Sequence, residues 1–225
     1  RQANDNLGSA VAASSGTAMA GVPNDDDLGS SSGSVRIFTG TGTSWTQTAK
    51  LTAFDGTSSD QFGTSVALDA STALVGSPGD DDLGSSSGSA YVFSRGGATF
   101  NILSKLLAAD GSSSDQFGMS VALDGAVALV GAPGDDDRGS SSGSAYLFAR
   151  TGSSWTLQQK LTAPDGDIDA SFGATLSLKG TTALVSAPGD KDRGSVYVFT
   201  RSGTTWRQLQ KITASGAAIS DGFGR

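Results

Sequence analysis

The sequence predicts an all-β protein built from four tandem repeats of about 55 residues. The first observation is self-similarity, because the segment at residues 60–69 returns almost unchanged at residues 115–124. The second is a Phe-Gly pair that recurs at intervals of 55, 55 and 51 residues, with its phenylalanines at Phe62, Phe117, Phe172 and Phe223. The third is that helical periodicity is absent throughout. Repeats of this length are typical of propeller blades or solenoid coils.

The repeat that starts at Phe117 opens with a predicted β-hairpin. A first strand over residues 118–123 is followed by the turn Asp124-Gly125 and a return strand over residues 127–132. Asp-Gly between two apolar runs is typical of a tight hairpin turn. Pro133 ends the second strand because proline has no N–H to donate to a neighbouring strand.

An acidic loop over residues 134–143 leads to a third predicted strand over 144–150, and a fourth follows over 155–161. In the third strand large aromatic residues alternate with Ala145 and Leu147, so both faces are apolar and we expect both to be covered. A four-stranded antiparallel meander covered on both faces is the blade of a β-propeller. A β-helix or another solenoid is the alternative, although such coils usually repeat at shorter periods.

The repeat boundaries follow from the Phe-Gly spacing. The fourth repeat lacks four residues of the acidic loop, while the spacing from Lys160 to Phe172 equals that from Lys211 to Phe223. The strands are therefore the fixed framework, and the loop is a surface connection that tolerates changes in length. We expect a single propeller, or part of one, over residues 1–225, with repeats at about 8–62, 63–117, 118–172 and 173–223.

Composition limits the possible functions. The chain has no cysteine and no histidine, which excludes disulfides, thiolate nucleophiles and every triad that needs an imidazole. A net charge of −7 argues against binding to nucleic acid, and no apolar stretch is long enough to insert into a membrane. Pairs such as Asp110 and Asp115 lack the cleft that glycosidase carboxylates need. We therefore expect no enzymatic activity.

The whole period resembles FG-GAP repeats, the blades of integrin-α-type propellers. The resemblance rests on Phe62-Gly63 with 74–78, Phe117-Gly118 with 129–133, Phe172-Gly173 with 184–188, and a degenerate first copy at Leu7-Gly8 with 20–23. It implies an extracellular or cell-surface propeller used for adhesion, ligand binding or structural display. Integrin-type blades often carry a calcium loop between their first two strands, but here each such hairpin supplies at most one carboxylate. Seven blades are usual in that family, and four copies are too few for that ring.

The strongest functional signal is the acidic run between the second and third strands of each repeat. In a meander this loop shares one side of the blade with the link to the next repeat, which is also acidic. Carboxylate oxygens gathered there are suited to calcium. The alternative is a set of solvated turns, because Asp and Gly are ordinary turn residues. The candidate calcium ligands are Asp25, Asp26, Asp27, Asp80, Asp81, Asp82, Asp110, Asp115, Asp135, Asp136 and Asp137.

Three tryptophans occupy the same place in their repeats, at the start of the fourth strand: Trp45, Trp155 and Trp206. We expect them to fill equivalent gaps between blades. Stacking of exposed aromatic rings on sugars is the alternative.

The two ends of the chain carry the same part of the repeat, at residues 5–9 and 221–225. Both cannot occupy one place in a closed ring of four blades. Either a longer chain continues, or the tail of one copy completes the sheet of another. We therefore expect a non-catalytic extracellular structural or adhesive protein that associates with itself through its chain ends or blade faces. The alternative is a module of a larger cell-surface protein that recognises a glycan or another protein.

Overall fold

The computed structural model describes residues 5–96, 99–216 and 218–225. Within them the chain forms four four-stranded antiparallel sheets, each with its strands in sequence order. This confirms the predicted all-β fold of four-stranded blades. A short 3-10 turn covers Asp190–Asp192. The strands are, for blade one, β1 Val11–Ser14, β2 Thr17–Val22, β3 Ser34–Thr41 and β4 Ser44–Leu51; for blade two, β5 Ser65–Leu68, β6 Thr72–Ser77, β7 Ser89–Gly96 and β8 Thr99–Leu106; for blade three, β9 Ser120–Asp124, β10 Val127–Ala132, β11 Ser144–Thr151 and β12 Ser154–Leu161; and for blade four, β13 Leu176–Lys179, β14 Thr182–Ala187, β15 Ser195–Ser202 and β16 Thr205–Ile212.

Blade three follows the predicted meander closely. The hairpin of β9 and β10 pairs Asp124 with Val127 across the predicted Asp-Gly turn. Both faces of β11 are covered as expected, since Ala145, Tyr146 and Leu147 are fully buried. The third and fourth strands of every blade shift register at the same place, which in blade three lies between Leu147 and Phe148.

Small residues let the blades approach one another near their innermost strands. A methyl group added at Gly131 would collide with the carbonyl oxygen of Gly173 in the next blade, and Gly21 and Gly76 are confined in the same way. Ser186 takes the corresponding position in blade four. The position needs glycine where another complete blade follows it.

The Phe-Gly pair forms the joint between consecutive blades. The backbone N–H of Phe117 donates to the carbonyl of Ser87 in blade two over 3.0 Å. Its ring meets Tyr146 of blade three edge-on, with 5.3 Å between the ring centroids. The carbonyl of Gly118 accepts a hydrogen bond of 2.8 Å from the Ser65 hydroxyl. One dipeptide therefore ties two sheets together through both its backbone and its side chain.

The apolar core of the described residues consists of three clusters, which join blade one to two, two to three and three to four. The outer faces of the first and last blades therefore lack the cover that internal faces have. Leu184 of blade four is 36% exposed, whereas Leu129 of blade three is fully buried. The predicted packing role holds for Trp155 and Trp206, which are buried, but Trp45 is 45% exposed because no described blade packs against its face of blade one.

Candidate functional site

The acidic loop of blade three gives its adjacent aspartates different roles. Asp135 is almost fully buried. Its Oδ1 accepts hydrogen bonds from the backbone N–H of Asp137 over 3.1 Å and from the Ser144 hydroxyl over 3.0 Å. Asp136 instead accepts a 2.7 Å bond from the backbone N–H of Ser141, within its own loop. The run is therefore a folded turn in which only the first and third carboxylates face the same way.

A lysine ammonium lies where those carboxylates converge. The Nζ of Lys160 is 2.8 Å from Asp135, 2.6 Å from Asp137 and 2.7 Å from Asp110. It also lies 5.1 Å from the centre of the Tyr146 ring, whose hydroxyl is within hydrogen-bond distance of both Asp135 and Asp110, at 2.8 and 2.9 Å. We call this arrangement of one lysine and its surrounding carboxylates the lysine cage. The cage connects the fourth strand of the blade to the acidic loop of the same blade. It also connects that strand to the segment that joins the blade to the preceding one.

The lysine cage recurs in every blade with small changes. In blade two Lys105 contacts Asp55, Asp80 and Asp82 at 2.7 to 2.8 Å. In blade four Lys211 contacts Asp165 at 2.6 Å and Asp190 at 2.7 Å. In blade one Lys50 contacts Asp25 and Asp27, and Arg36 replaces the tyrosine and pairs with Asp25.

Sequence reasoning missed these lysines, although a signal was present. They recur at the spacing of the Phe-Gly pairs, and each directly precedes Leu or Ile: Lys50, Lys105, Lys160 and Lys211.

The contacts of the blade-three cage favour the charged forms of Asp110 and Lys160. Burial opposes ionisation of Asp110, but hydrogen bonds from Lys160 and Tyr146 outweigh it and lower the pKa of Asp110 below its usual 3.8. Burial likewise opposes the charge on Lys160, yet its three carboxylate partners raise its pKa above 10.5. Burial and the hydrogen bond to Asp165 raise the pKa of Tyr197 to about 12. At neutral pH the lysine is thus an ammonium and the tyrosine is a hydrogen-bond donor.

The structure brings some of the predicted calcium ligands together and separates others. Carboxylate oxygens of Asp110, Asp135 and Asp137 lie within 4.8 Å of one another. Asp115 is buried and accepts a 2.7 Å bond from the backbone N–H of Ser112. The middle aspartates of the other two complete runs, like that of blade three, bond the backbone of their own loops: Asp26 and Asp81.

The converging carboxylates fit a cation, and Lys160 already supplies one. Calcium usually takes about six to eight oxygen ligands, whereas three carboxylates here already receive the hydrogen bonds of one ammonium. A calcium ion at this point would have to displace Lys160. Calcium binding by the acidic loops stays a prediction.

The comparison with family models decides the family. The model of the FG-GAP repeat matches three times, at residues 45–93, 101–148 and 155–199. Each match runs from the fourth strand of one blade to the third strand of the next, with the Phe-Gly joint in its middle. This chain belongs to the FG-GAP repeat family. No curated protein matches the FG-GAP chain significantly.

Several solved structures resemble the FG-GAP chain in fold. A proposed 6-phosphogluconolactonase from Bacteroides uniformis superimposes with a TM-score of 0.64 at 13% identity, over 93% of this chain and 57% of that one. A protein from Lactobacillus plantarum gives 0.61 at 13% identity, over 91% and 55% of the two chains. Sqt1 from Saccharomyces cerevisiae gives 0.52 at 11% identity, over 95% and 50%. The FG-GAP chain thus spans 50% to 57% of the length of each, and the likeness concerns the fold alone.

Proposed function

We propose that this FG-GAP chain is a non-catalytic, extracellular structural or adhesive protein that joins copies of itself end to end. The observation that carries the proposal is the pair of uncovered apolar faces on blades one and four. Leu184 on blade four and Trp45 on blade one are well exposed, whereas their counterparts Leu129 and Trp155 are buried between blades. Covering such faces removes apolar surface from water.

The two faces are the matching halves of a junction that the chain already forms three times. At the junction of blades two and three, one side offers Leu74, Val92 and Leu106, and the other offers Phe148 and Trp155. The open face of blade four corresponds to the blade-two side of that junction. It carries aliphatic residues at the equivalent positions: Leu184, Val198 and Ile212. The open face of blade one corresponds to the blade-three side and carries the aromatic residues Phe38 and Trp45 at the equivalent positions. A contact between different faces of identical chains builds rings if it closes and filaments if it does not.

The tail of the chain already occupies part of this junction. Thr175 donates to the carbonyl of Gly224 over 2.8 Å, as Ser120 donates to the carbonyl of Gly173 over 2.6 Å. In a second copy docked on blade four, residues 5–8 would need the place that residues 221–224 hold. We infer that one of these two similar segments is displaced when copies join.

Light scattering on the purified chain over a range of concentrations tests the assembly. We expect the mass to rise with concentration, and electron microscopy to show rings or filaments. Leu184→Glu should keep the protein as single chains, because it places a charge on the blade-four face. Leu157→Glu is the matched control, since Leu157 is 41% exposed on the outermost strand of blade three. A single-chain mass at every concentration would contradict end-to-end assembly and favour the alternative, a module that recognises a glycan or protein.

The lysine cages support a non-catalytic role. The carboxylates best placed for acid–base chemistry, such as Asp110 and Asp135, are bound to Lys160 and Tyr146. One structural neighbour is named as a proposed 6-phosphogluconolactonase, so a hydrolase screen of this chain should include sugar lactones. Turnover above the uncatalysed rate would contradict this part of the proposal.

The extracellular assignment rests on the family, whose repeats usually occur in extracellular proteins. In the described residues no helix is long and apolar enough to cross a bilayer. Protease treatment of intact cells that express the native protein tests the assignment, because a surface protein is cleaved while a cytoplasmic marker survives.

A further inference from the structure

A cavity lies on blade one at the place where the blades that follow it receive the phenylalanine of a joint. Five residues line it: Asp5, Leu7, Val22, Arg36 and Gln47. In blade three the positions of Leu7 and Arg36 are held by Phe117 and Tyr146, whose rings meet edge-on. Leu7 is 40% exposed, whereas Phe117 is fully buried. The cavity measures about 210 Å³, and since one of about 150 Å³ can hold benzene, it has room for a phenyl ring.

Arg36 takes the place of the joint tyrosine and is held in the same way. Its guanidinium lies 2.8 Å from a carboxylate oxygen of Asp25, just as the Tyr146 hydroxyl lies 2.8 Å from Asp135. A cation beside an aromatic ring is attracted to the electron-rich face of the ring. An aliphatic side chain such as that of Leu7 has no such face. The cavity therefore favours an aromatic occupant over the leucine that lines it.

The tail at residues 221–224 carries a joint phenylalanine, Phe223, in the backbone conformation of a joint. The φ angles in the tail and just before it are 70° at Ser220, 60° at Gly222 and 97° at Gly224. The equivalent angles in the joint between blades two and three are 72°, 56° and 92°. The N–H of Phe223 donates to the carbonyl of Arg193 over 2.9 Å, as in the joints within the chain. Because the tail is already ordered, binding it to a second surface costs less conformational entropy.

The tail leaves open one donor that the joints within the chain use. The N–H of Gly118 donates to the carbonyl of Gly131, in the blade that follows, over 2.9 Å. In the described part of the chain the N–H of Gly224 donates to no group. The matching acceptor on blade one is the carbonyl of Gly21, to which Gly8 donates over 2.8 Å. The tail thus makes one half of the contacts of a joint, and Gly8 belongs to the other half.

We propose that Phe223 of one copy enters the blade-one cavity of the next copy and displaces Leu7. This contact rests on the end-to-end assembly proposed above and deepens it. Phe223 lies against Arg36 there, and Gly224 donates to the carbonyl of Gly21 in place of Gly8. The tail keeps its place, and the head segment at residues 5–8 leaves, because a phenyl ring buries more apolar surface than leucine and meets a cation.

One contact of the joints within the chain cannot be repeated between copies. Gly134 lies so close to the segment before blade three that a methyl group there would collide with the carbonyl oxygen of Ser114. Blade one has Asn24 at this position. The backbone around Ser220 must therefore lie further from the next copy than the equivalent segment lies from blade three. We expect the joint between copies to be weaker than the joints within one chain.

Light scattering on variants of the full chain tests the contact. Phe223→Ala should weaken association about tenfold, because the cavity loses its occupant. Phe223→Leu keeps an apolar side chain and should still weaken association about threefold, because leucine has no ring for Arg36. Phe54→Ala is the matched control, since Phe54 is 68% exposed on the segment between blades one and two, and it should leave association unchanged.

Leu7→Ala separates the two ways of forming the joint. We expect it to strengthen association, because less apolar surface has to leave the cavity. If the head segment formed the joint instead, Leu7→Ala would weaken association and Phe223→Ala would not. That result would overturn the proposed contact while end-to-end assembly stands. A single-chain mass of the unchanged protein at every concentration would overturn the assembly itself.

A gain of affinity provides an independent test. Asn24→Gly removes the collision with the incoming tail and should strengthen association about tenfold. Asn101→Gly is the control, because Asn101 is exposed on the outermost strand of blade two. Equal association of Asn24→Gly and the unchanged chain would show that the tail does not pass beside residue 24, and would overturn the proposed contact.

Discussion

Lys160 donates to Asp135 over 2.8 Å, and this ion pair joins the fourth strand of blade three to its acidic loop. The lysine reaches the carboxylate from 25 residues further along the chain. The positive charge that the acidic loop requires is therefore supplied by the blade itself.

Lys160→Met should lower the free energy of unfolding by about 2–4 kcal/mol, because it leaves three carboxylates without their shared cation. Lys179→Met is the control, since the ion pair of Lys179 with Asp124 is largely exposed. Such exposed pairs contribute little to stability, because water and salt screen them. Urea unfolding of both variants measures the difference. Equal losses would show that the cage contributes no more than a surface ion pair.

Calcium and Lys160 compete for the same carboxylate oxygens. If the acidic loops bind calcium, Lys160→Met should bind it more tightly than the unchanged chain, and calcium should raise the melting temperature of the variant more. Thermal unfolding in millimolar calcium and in chelator gives the comparison. The same calcium response in both proteins would place any calcium site away from Asp110, Asp135 and Asp137.

Stability should fall in acid and in strong alkali. Asp55, Asp110 and Asp165 have pKa values below their usual 3.8, so their contribution is present above pH 3.8 and is lost as the pH falls through the lowered values. Lys105, Lys160 and Lys211 have pKa values above 10.5, so their contribution is complete below pH 10.5 and is lost as the pH rises through the raised values.

Burial raises the pKa values of Asp60 and Asp115 above 3.8. Their contribution to stability has the opposite sign from that of Asp55, Asp110 and Asp165. The folded state holds the protons of Asp60 and Asp115 more tightly, so the stability that they contribute falls as the pH rises through the raised values. Thermal unfolding at a series of pH values measures the profile. A steady rise in stability on acidification below pH 3.8 would contradict the cage as a stabilising element.

Gly131→Ala should destabilise the protein by about 1–3 kcal/mol, because the new methyl group meets the Gly173 carbonyl of the next blade. Gly96→Ala is the control, as the nearest atom to its methyl group is the Thr99 hydroxyl at 3.4 Å. We expect that change to stay within about 0.5 kcal/mol. Denaturant unfolding decides whether close approach of the blades sets the requirement for glycine.

Phe117→Ala should cost about 3–5 kcal/mol, because Phe117 is fully buried between two blades. Phe223→Ala, at the same repeat position, should cost about 1 kcal/mol or less, since Phe223 is only half-buried. The comparison is made below the concentration at which copies associate. A large loss for Phe223 there would mean that the tail is packed as firmly as the internal joints.

The sequence alone determined the repeat, the order of the strands and the acidic loop as the place where the repeats differ in length. Turn residues such as Asp124-Gly125 and the alternation of side chains around Tyr146 act locally. The same pattern appears in every repeat, so the four repeats support one another's strand assignment. The sequence also predicted that acidic loops and acidic links share one side of the blade, which the contacts of Lys160 with Asp110 and Asp137 confirm.

Only the tertiary structure decided what those carboxylates contact and which faces stay open. Lys160 and Asp135 lie far apart along the chain, and their meeting depends on the sheet that brings the fourth strand back beside the second loop. Leu129 and Leu184 are the same residue at the same repeat position, yet one is buried and the other exposed. The neighbouring blade makes that difference, because burial is a property of what packs against a side chain and not of the side chain itself.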